Sequence, residues 1–252
     1  LDPMIDISIT PNRSDCLGIK GIARDLSASG EGIFLKSKIE KIKATSKKET
    51  LVEIKKDSGC YQFGSCYIEG VQNKESPEWL RKDLESVGQK SISAIVDITN
   101  YVMLDINRPL HAYDANKISG KIIVRRSKKG EYFEALDNKK YELSTEDCVI
   151  ADQSKILGLG GIVGGASTST EISTTNIILE AASFNPVTIA KSSKKLGLLT
   201  DAKYRFERGV DPNSIEEGLT KASNLIQEIC GGKISKIRVT GKSNYKEKKI
   251  TF

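Results

Sequence analysis

Short segments of strand character alternate irregularly with capped helical segments, and this order constrains the fold more than any other feature. The strand segments are rich in β-branched or aromatic residues and are bounded by turn residues. They lie at 51–56, 61–71, 121–127, 147–152 and 176–182. Because no regular strand–helix–strand repeat connects them, the order predicts an α+β fold with mixed sheets and flanking helices.

One predicted helix occupies the segment between Ser76 and Gly88. Ser76 is suited to cap a helix, Pro77 to occupy its first position, and Gly88 to end it. The apolar residues within this segment recur at helical spacing. They are Trp79, Leu80, Leu84 and Val87.

Three further helices are indicated by residues at their ends. Ser214 and Glu217 have the spacing of a capping box, and Gly231 follows the last apolar position of that segment. Another helix is expected to begin near Ser14, and a fourth at Asn185, which is followed by a proline.

Composition excludes several classes of protein. The chain is 38% hydrophobic and 29% charged, as in ordinary globular proteins. No apolar run approaches the roughly 20 residues that a membrane-spanning helix needs. The start of the chain at Leu1 lacks the pattern of a signal peptide. We therefore expect a cytoplasmic protein with no membrane contact, and we interpret the chain as a piece of a longer one.

The cysteine and histidine content argues against a metal site. Five cysteines are scattered without a CxxC motif, and His111 is the single histidine. Such usage is typical of reduced thiols rather than of a disulfide framework or a zinc site. No metal ligand is predicted.

Lysine clusters are the main feature of the charge distribution, which has a formal net value of +6. They occur at 36–48, 191–195 and 242–249. Clusters of this kind either solvate a loop or face a polyanion, and the residues alone leave both open. The segment from Lys36 to Lys48 is interpreted as a basic loop.

The segment 158–165 is dense in glycine but lacks the spacing of a nucleotide-binding loop. Val163 stands where a dinucleotide fingerprint has its third glycine, and no GK[ST] motif is present. What remains is a tight turn where backbone approaches another strand or a ligand.

Glu180 and His111 are the residues that most demand an explanation. Glu180 follows three aliphatic residues in a strand that should be buried, so its carboxylate needs donors from the protein or from a ligand. Either residue could instead be structural, as a salt-bridged carboxylate or a core histidine. No GxSxG motif or cysteine is paired with His111, which favours water as the nucleophile of any hydrolytic reaction.

Three long stretches give the sequence a family resemblance. "ISITPNRSDCLGIKGIARDL", "DITNYVMLDINRPLHAYD" and "LLTDAKYRFERGVDP" closely resemble, in this order and spacing, the β subunit of bacterial phenylalanyl-tRNA synthetases. The resemblance implies an editing module at residues 1–240, made of two interwoven subdomains, and a linker toward a following domain at 241–252.

The resemblance also implies a function and partners. The module would hydrolyse the ester of tRNA(Phe) mischarged with tyrosine and would contact the tRNA acceptor end. The whole synthetase, an α2β2 heterotetramer with the α subunit, would use ATP and Mg for aminoacylation, whereas this part would need no cofactor. The alternative is a non-catalytic scaffold that binds tRNA or a neighbouring subunit.

The family's editing residues carry over to positions of the same type. His111, Thr99 and Asn100 would orient the ester and water, and Glu180 would bind the tyrosine hydroxyl. An orienting role for His111 is favoured over that of a general base, because no carboxylate partner is evident. The remaining positions would shape the pocket, and replacing either glycine would narrow it. They are Gly161, Gly164, Thr200 and Ala202.

One position departs from the family pattern. Lys203 follows the "TDA" motif where the resemblance leads us to expect a small polar residue. The departure bears on the local geometry of the predicted pocket.

Overall fold

The computed structural model describes residues 4–35, 39–243 and 245. Its α-helices are α1 (Ile19–Ala28), α2 (Glu78–Ser86), α3 (Ala94–Ile106), α4 (Pro186–Leu196), α5 (Asp201–Phe206) and α6 (Ile215–Cys230). Its strands are β1 (Val52–Ile54), β2 (Cys60–Glu69), β3 (His111–Asp114), β4 (Ile122–Arg126), β5 (Tyr132–Glu134), β6 (Lys140–Glu142), β7 (Cys148–Ala151), β8 (Ile156–Leu159), β9 (Val163–Gly164), β10 (Asn176–Phe184), β11 (Lys233–Ile234) and β12 (Arg238–Gly241).

Two larger sheets organise the strands. The first has the order β1-β4-β7-β8-β9 and is mixed, because β1 and β4 are parallel and the other pairs antiparallel. The second is antiparallel, with the order β11-β2-β10-β3, and β12 also pairs with β2. Strands β5 and β6 form a separate hairpin. The predicted α+β class with mixed sheets is confirmed, as are the five predicted strand segments.

The second sheet is covered on both faces, and this makes the fold layered. One face of β10 packs into a core with residues of α2, α3 and α6. The opposite face of β10 packs into a second core with residues of the first sheet, including β4, β7 and β8. Burial on both faces explains why β10 is nearly continuous in apolar residues instead of alternating with polar ones.

At two of the predicted helix starts, the capping in the structure differs from the prediction. Ser76 does not cap α2, because its hydroxyl donates to Asp97 at 2.5 Å, and Pro77 occupies the cap position. Ser214 precedes α6 but makes no capping bond, so the predicted capping box is wrong. Its hydroxyl instead accepts a hydrogen bond from Arg108 at 2.8 Å. Tertiary partners have displaced the local bond in both cases.

The other predicted helix starts agree better with the structure. Asn185 caps α4 by accepting from the backbone of Val187 and Thr188. Near Ser14 a short 3-10 turn comes first, and α1 begins at Ile19. Within the helix predicted after Ser76, Leu80 and Leu84 are buried. The other two apolar residues of that stripe, Trp79 and Val87, are largely exposed.

Several predictions concern segments that the structure covers only partly. In the predicted basic loop, residues 36–38 lie outside the described part, and 39–48 form no helix or strand. Most of the predicted linker, 244 and 246–252, also lies outside it. The division into two interwoven subdomains stays a prediction. No helix within the described ranges is long and apolar enough to cross a membrane.

Candidate functional site

A cavity of about 80 Å³ lies between the two sheets. Five of the eight residues predicted for the site line it, namely His111, Gly161, Gly164, Glu180 and Ala202. The rest of the lining is mostly apolar. It consists of Pro109, Leu110, Tyr113, Ile150, Gly158, Leu159, Ile162, Val163 and Phe206.

Glu180 places a carboxyl group in this apolar surrounding. The residue is 6% exposed and points from β10 toward the first sheet. Its Oε2 accepts a hydrogen bond from the hydroxyl of Tyr113, and this is the one side-chain bond to the carboxylate from the described residues. Burial raises the pKa of Glu180 to about 7, while the bond from Tyr113 opposes that rise. The carboxylate oxygen Oε1 is therefore an acceptor without a protein donor in the described structure.

His111 lies directly opposite Glu180 in the antiparallel pairing of β3 with β10. Its ring packs edge-on against Tyr113, with 4.5 Å between ring centroids. The Nε2 atom is buried and finds no hydrogen-bond partner among the described residues. Burial lowers the pKa of His111 to about 4, so the imidazole is neutral at pH 7. It can still donate or accept a hydrogen bond.

The two predicted pocket glycines are required for different reasons. A Cβ at Gly164 would clash with Cε1 of His111 and lie 2.8 Å from its Nε2. At Gly161 the backbone has φ of +69°, and a Cβ there would lie 2.8 Å from the ring of Phe184. A larger residue would therefore press on His111 in one case and strain the core in the other. The predicted narrowing of the cavity stays a prediction.

The glycines belong to the hairpin that joins β8 to β9. The backbone N–H of Ile162 donates to the carbonyl of Leu159 at 3.0 Å and closes the turn. The hairpin faces the second sheet, since a Cβ at Gly158 would lie 3.8 Å from the hydroxyl of Tyr113. The glycine-dense segment is thus a tight turn against another strand, and it also forms one wall of the cavity.

The chain matches a known domain family over most of its length. A family model described as the B3/4 domain matches residues 59–231, more than half of the chain. The matched range contains seven of the ten strands described in the two larger sheets and leaves out β1, β11 and β12. The chain belongs to the B3/4 domain family. In this B3/4 domain the matched segment contains His111, Glu180 and the glycine hairpin.

Curated relatives match the whole chain. It is 43% identical to the phenylalanine–tRNA ligase β subunit of Bartonella henselae, 44% to that of a Wolbachia from Brugia malayi, and 45% to that of Rhodopseudomonas palustris. Each match covers 100% of this chain but only 31–33% of the relative. The B3/4 domain chain therefore spans about a third of the length of these relatives.

A solved structure supports the fold. An N-terminal fragment of the phenylalanyl-tRNA synthetase β subunit from Pyrococcus horikoshii superposes with a TM-score of 0.51 at 15% identity. The match covers 89% of this chain and 60% of that fragment. At this identity the likeness concerns the fold of the B3/4 domain.

Thr200 supports the cavity of the B3/4 domain without lining it. Its hydroxyl donates to the carbonyl of Ile162 at 2.7 Å and accepts from the backbone of Lys203 at 3.1 Å. The first bond anchors the glycine hairpin, and the second caps α5. Helix α5 in turn brings Ala202 and Phe206 to the cavity wall.

Thr99 and Asn100 lie on α3 and are absent from the cavity lining. The hydroxyl of Thr99 donates to the carbonyl of Val96 in its own helix at 2.6 Å. In this geometry Thr99 directs no donor toward the cavity, and the roles predicted for both residues stay predictions.

Lys203, the departure from the family pattern, forms an ion pair with the residue that follows α5. Its ammonium group pairs with Glu207 at 2.9 Å, and both side chains are mostly buried. Glu207 also pairs with Arg208 at 2.6 Å. Glu207 is thus shared by two cations, and Lys203 is absent from the cavity lining.

The thiols offer no nucleophile at the cavity. All five cysteines are free and buried. Burial raises the pKa of Cys148 to about 12 and that of Cys60 well above its ordinary value, so both remain protonated near neutral pH. The thiols are therefore poor candidates for a nucleophile at this site, in agreement with the preference for water expected from the sequence.

One acidic cluster elsewhere has the spacing of metal ligands. Within the described residues it comprises Asp15, Cys16 and Asp25. Two guanidinium groups already engage its carboxylates, because Arg13 and Arg24 both pair with Asp15 and Asp25. The cluster is an ion-pair network apart from the cavity.

Sequence reasoning missed two residues that build the site. Tyr113 lies two positions after His111 on β3, and the period of a strand places both side chains on one face. Arg108 is fully buried and ties the segment before His111 to the carbonyl of Ala182 at 2.7 Å and to Ser214. The alternation of "HAYD" could have indicated Tyr113, whereas no local pattern indicated Arg108.

Proposed function

We propose that this B3/4 domain hydrolyses the ester of tRNA(Phe) mischarged with tyrosine. The observation that carries the proposal is the buried carboxylate of Glu180, which faces a small apolar cavity with one oxygen already bound by Tyr113. The similarity over the full chain to parts of phenylalanine–tRNA ligase β subunits supports the choice of substrate.

Glu180 supplies the selectivity that an apolar site lacks. Tyrosine and phenylalanine differ by one hydroxyl, and an apolar pocket rejects an added hydroxyl by only about a hundredfold. A buried acceptor reverses the preference, because tyrosine satisfies it while phenylalanine leaves it unpaired. Sites of this kind discriminate by roughly 10⁴ to 10⁵.

His111 orients the ester and the attacking water in this proposal. Its low pKa makes it a weak base at pH 7, so hydrogen bonding by the neutral imidazole is favoured over proton abstraction. The buried Nε2 atom without a partner supports this role, because a bound ester or water would satisfy it. Close approach of the substrate is possible because Gly164 has no side chain beside the imidazole.

The proposal extends to the longer protein of which this domain is a part. There it would act with the synthetase α subunit, in an α2β2 assembly that uses ATP and Mg to aminoacylate tRNA(Phe) in the cytoplasm. Three exposed lysines of α4, Lys191, Lys194 and Lys195, would contribute to binding the tRNA phosphates.

Deacylation assays test the proposal. Tyr-tRNA(Phe) and Phe-tRNA(Phe) are incubated with the full-length protein that contains this chain and with its Glu180→Ala variant. We expect selective release of tyrosine by the unchanged protein and a loss of most of the roughly 10⁴-fold preference in the variant. Glu142→Ala, which removes an exposed carboxylate from β6, is the matched control and should leave both rates unchanged.

The scaffold alternative makes the opposite prediction. A module that only binds tRNA or a neighbouring subunit would bind both aminoacyl-tRNAs with equal affinity and release neither amino acid. That result with correctly folded protein would contradict the proposed hydrolysis. Release of both amino acids at equal rates would contradict the role of Glu180.

A further inference from the structure

Tyr113 is built into the site between the two groups that the proposed function uses. It is 1% exposed, its ring packs on His111, and its hydroxyl donates to Oε2 of Glu180. Tyr113 and Glu180 are diagonal neighbours across the β3–β10 pair, because Tyr113 lies opposite Ile178. The ring of Tyr113 is therefore part of the apolar core, while its hydroxyl contacts the carboxylate of Glu180.

Among the described residues, no charged side chain partners the carboxylate of Glu180. His111 on β3 lies opposite Glu180 and is neutral at pH 7. The thiols of Cys60 on β2 and Cys148 on β7 interact with it electrostatically and stay protonated near neutral pH. Within the described structure, the hydroxyl of Tyr113 is thus the group that favours the ionised form of the carboxylate by a hydrogen bond.

We propose that Tyr113 is a specificity-positioning residue, which rests on the function proposed above: its hydroxyl fixes one oxygen of Glu180, so that the other oxygen accepts the tyrosine hydroxyl. Without the Tyr113 hydroxyl the carboxyl group would rotate more freely. It would also take up a proton more readily and would then present a donor as well as an acceptor.

The role of Tyr113 can be observed through the pKa of Glu180. Burial raises its pKa to about 7, and the hydrogen bond from Tyr113 is the influence that lowers it. Removal of the hydroxyl therefore raises the pKa further. Burial and the nearby carboxylate raise the pKa of Tyr113 itself well above its ordinary value, so the hydroxyl remains a donor throughout the relevant pH range.

The substitution Tyr113→Phe tests the proposal because it keeps the ring and removes only the hydroxyl. In the full-length protein, the ratio of tyrosine to phenylalanine release is measured between about pH 5.5 and pH 9. For the unchanged protein we expect the preference for tyrosine to rise as the pH passes about 7. In the variant the midpoint should move up by about one pH unit or more, since hydrogen bonds to charged groups have that strength. The use of a ratio cancels the intrinsic pH dependence of ester hydrolysis.

Two control variants separate this role from structural effects. Tyr141→Phe removes a similar hydrogen bond, from Tyr141 to Asp137 at 2.6 Å in the exposed β5–β6 hairpin, and should leave the profile unchanged. Glu180→Gln removes the titrating group. In that background the preference should lose its midpoint near pH 7, and adding Tyr113→Phe should produce no further pH shift.

The outcomes distinguish this inference from the proposed function. An unchanged pH profile in Tyr113→Phe, with selective hydrolysis intact, would overturn the role of Tyr113 and leave the proposed function standing. Absence of any preference for tyrosine in the unchanged protein would overturn both. A shift in Tyr113→Phe that persists in the Glu180→Gln background would also overturn the inference, because the effect would not pass through the carboxylate.

Discussion

Both faces of β10 consist mostly of apolar residues, but they contact different parts of the molecule. Toward the helices, Ile177, Leu179 and Ala181 are fully buried in a core that contains residues of α3 and α6. Toward the first sheet, Ile178 is followed at the next position on that face by Glu180, which lines the cavity. Neighbouring residues of one strand thus belong to a closed core and to a candidate binding site.

The two faces of β10 differ because different elements pack against them. Helices α3 and α6 cover their face with close-packed apolar side chains. The opposing hairpin of the first sheet contains glycines and leaves a space against β3 and β10. A carboxylate is tolerable there because Tyr113 binds one oxygen and the other faces the cavity. One strand can therefore line a filled core on one face and a cavity on the other, when the layers that cover its two faces pack with different densities.

Truncation of Leu179, the residue beside Glu180 that faces the helices, should affect stability and leave selectivity intact. Leu179→Ala should lower the free energy of unfolding by about 2–5 kcal/mol, because it opens a cavity in a filled core. The preference for tyrosine should persist, because the cavity between the sheets is unchanged. Chemical denaturation and deacylation assays measure the two quantities.

Glu180→Ala provides the reciprocal case. It should abolish selectivity without a comparable loss of stability, because it removes a buried ionisable group. If Leu179→Ala instead lost selectivity, or Glu180→Ala unfolded the protein, the division of β10 into a structural and a functional face would be wrong.

A second prediction uses the pH dependence of stability. The pKa of Glu180 is near 4.5 when the chain is unfolded and about 7 when it is folded. Between these values the folded chain retains a proton that the unfolded chain has released, so the contribution to stability is complete below pH 4.5 and is lost as the pH rises to 7. The loss amounts to about 3 kcal/mol.

Comparison with Glu180→Gln isolates this effect. The difference in unfolding free energy between the variant and the unchanged protein should grow by about 3 kcal/mol in favour of the variant between pH 4.5 and pH 7. His111 contributes with opposite sign, since its lowered pKa adds stability as the pH rises from about 4 to 6.5, but it is present in both proteins. A difference that does not change with pH would show that Glu180 is not desolvated.

The smallest expected effect concerns the hairpin that forms the site wall. Gly164→Ala places a methyl group against the imidazole of His111 and should slow release of tyrosine by about a hundredfold, because small displacements of orienting groups have effects of this size. Gly32→Ala is the control, since a Cβ there would meet nothing within 4 Å, whereas one at Gly165 would clash with the backbone of Leu157. Equal rates in Gly164→Ala and the unchanged protein would contradict an orienting role for His111.

Sequence patterns predicted the parts of the fold whose signals are local. The strands around β2 and β10, the Asn185 cap and the glycine turn were predicted, because turn residues, branched residues and caps act over a few positions. Glu180 could be singled out because a carboxylate in an apolar strand is anomalous. The capping box at Ser214 failed because Arg108, more than a hundred residues earlier, uses that hydroxyl.

Other parts of the site depend on contacts between distant segments. Sequence patterns predicted no helix at 94–106, because branched residues weaken the helical signal there and packing against α6 contributes to the structure of α3. Tyr113 becomes part of the site only when β3 pairs with β10. Family resemblance indicated Thr99 and Asn100 as site residues, and the structure places them outside the cavity lining.

A crystal structure of the full-length protein with a non-hydrolysable tyrosyl-adenosine analogue would show directly whether Glu180 binds the tyrosine hydroxyl. We predict that the phenol hydroxyl lies within about 3 Å of the carboxylate oxygen of Glu180 that Tyr113 leaves free, with the ester mimic beside His111. An analogue bound in the cavity with its hydroxyl turned away from Glu180, or bound at another surface, would contradict the account.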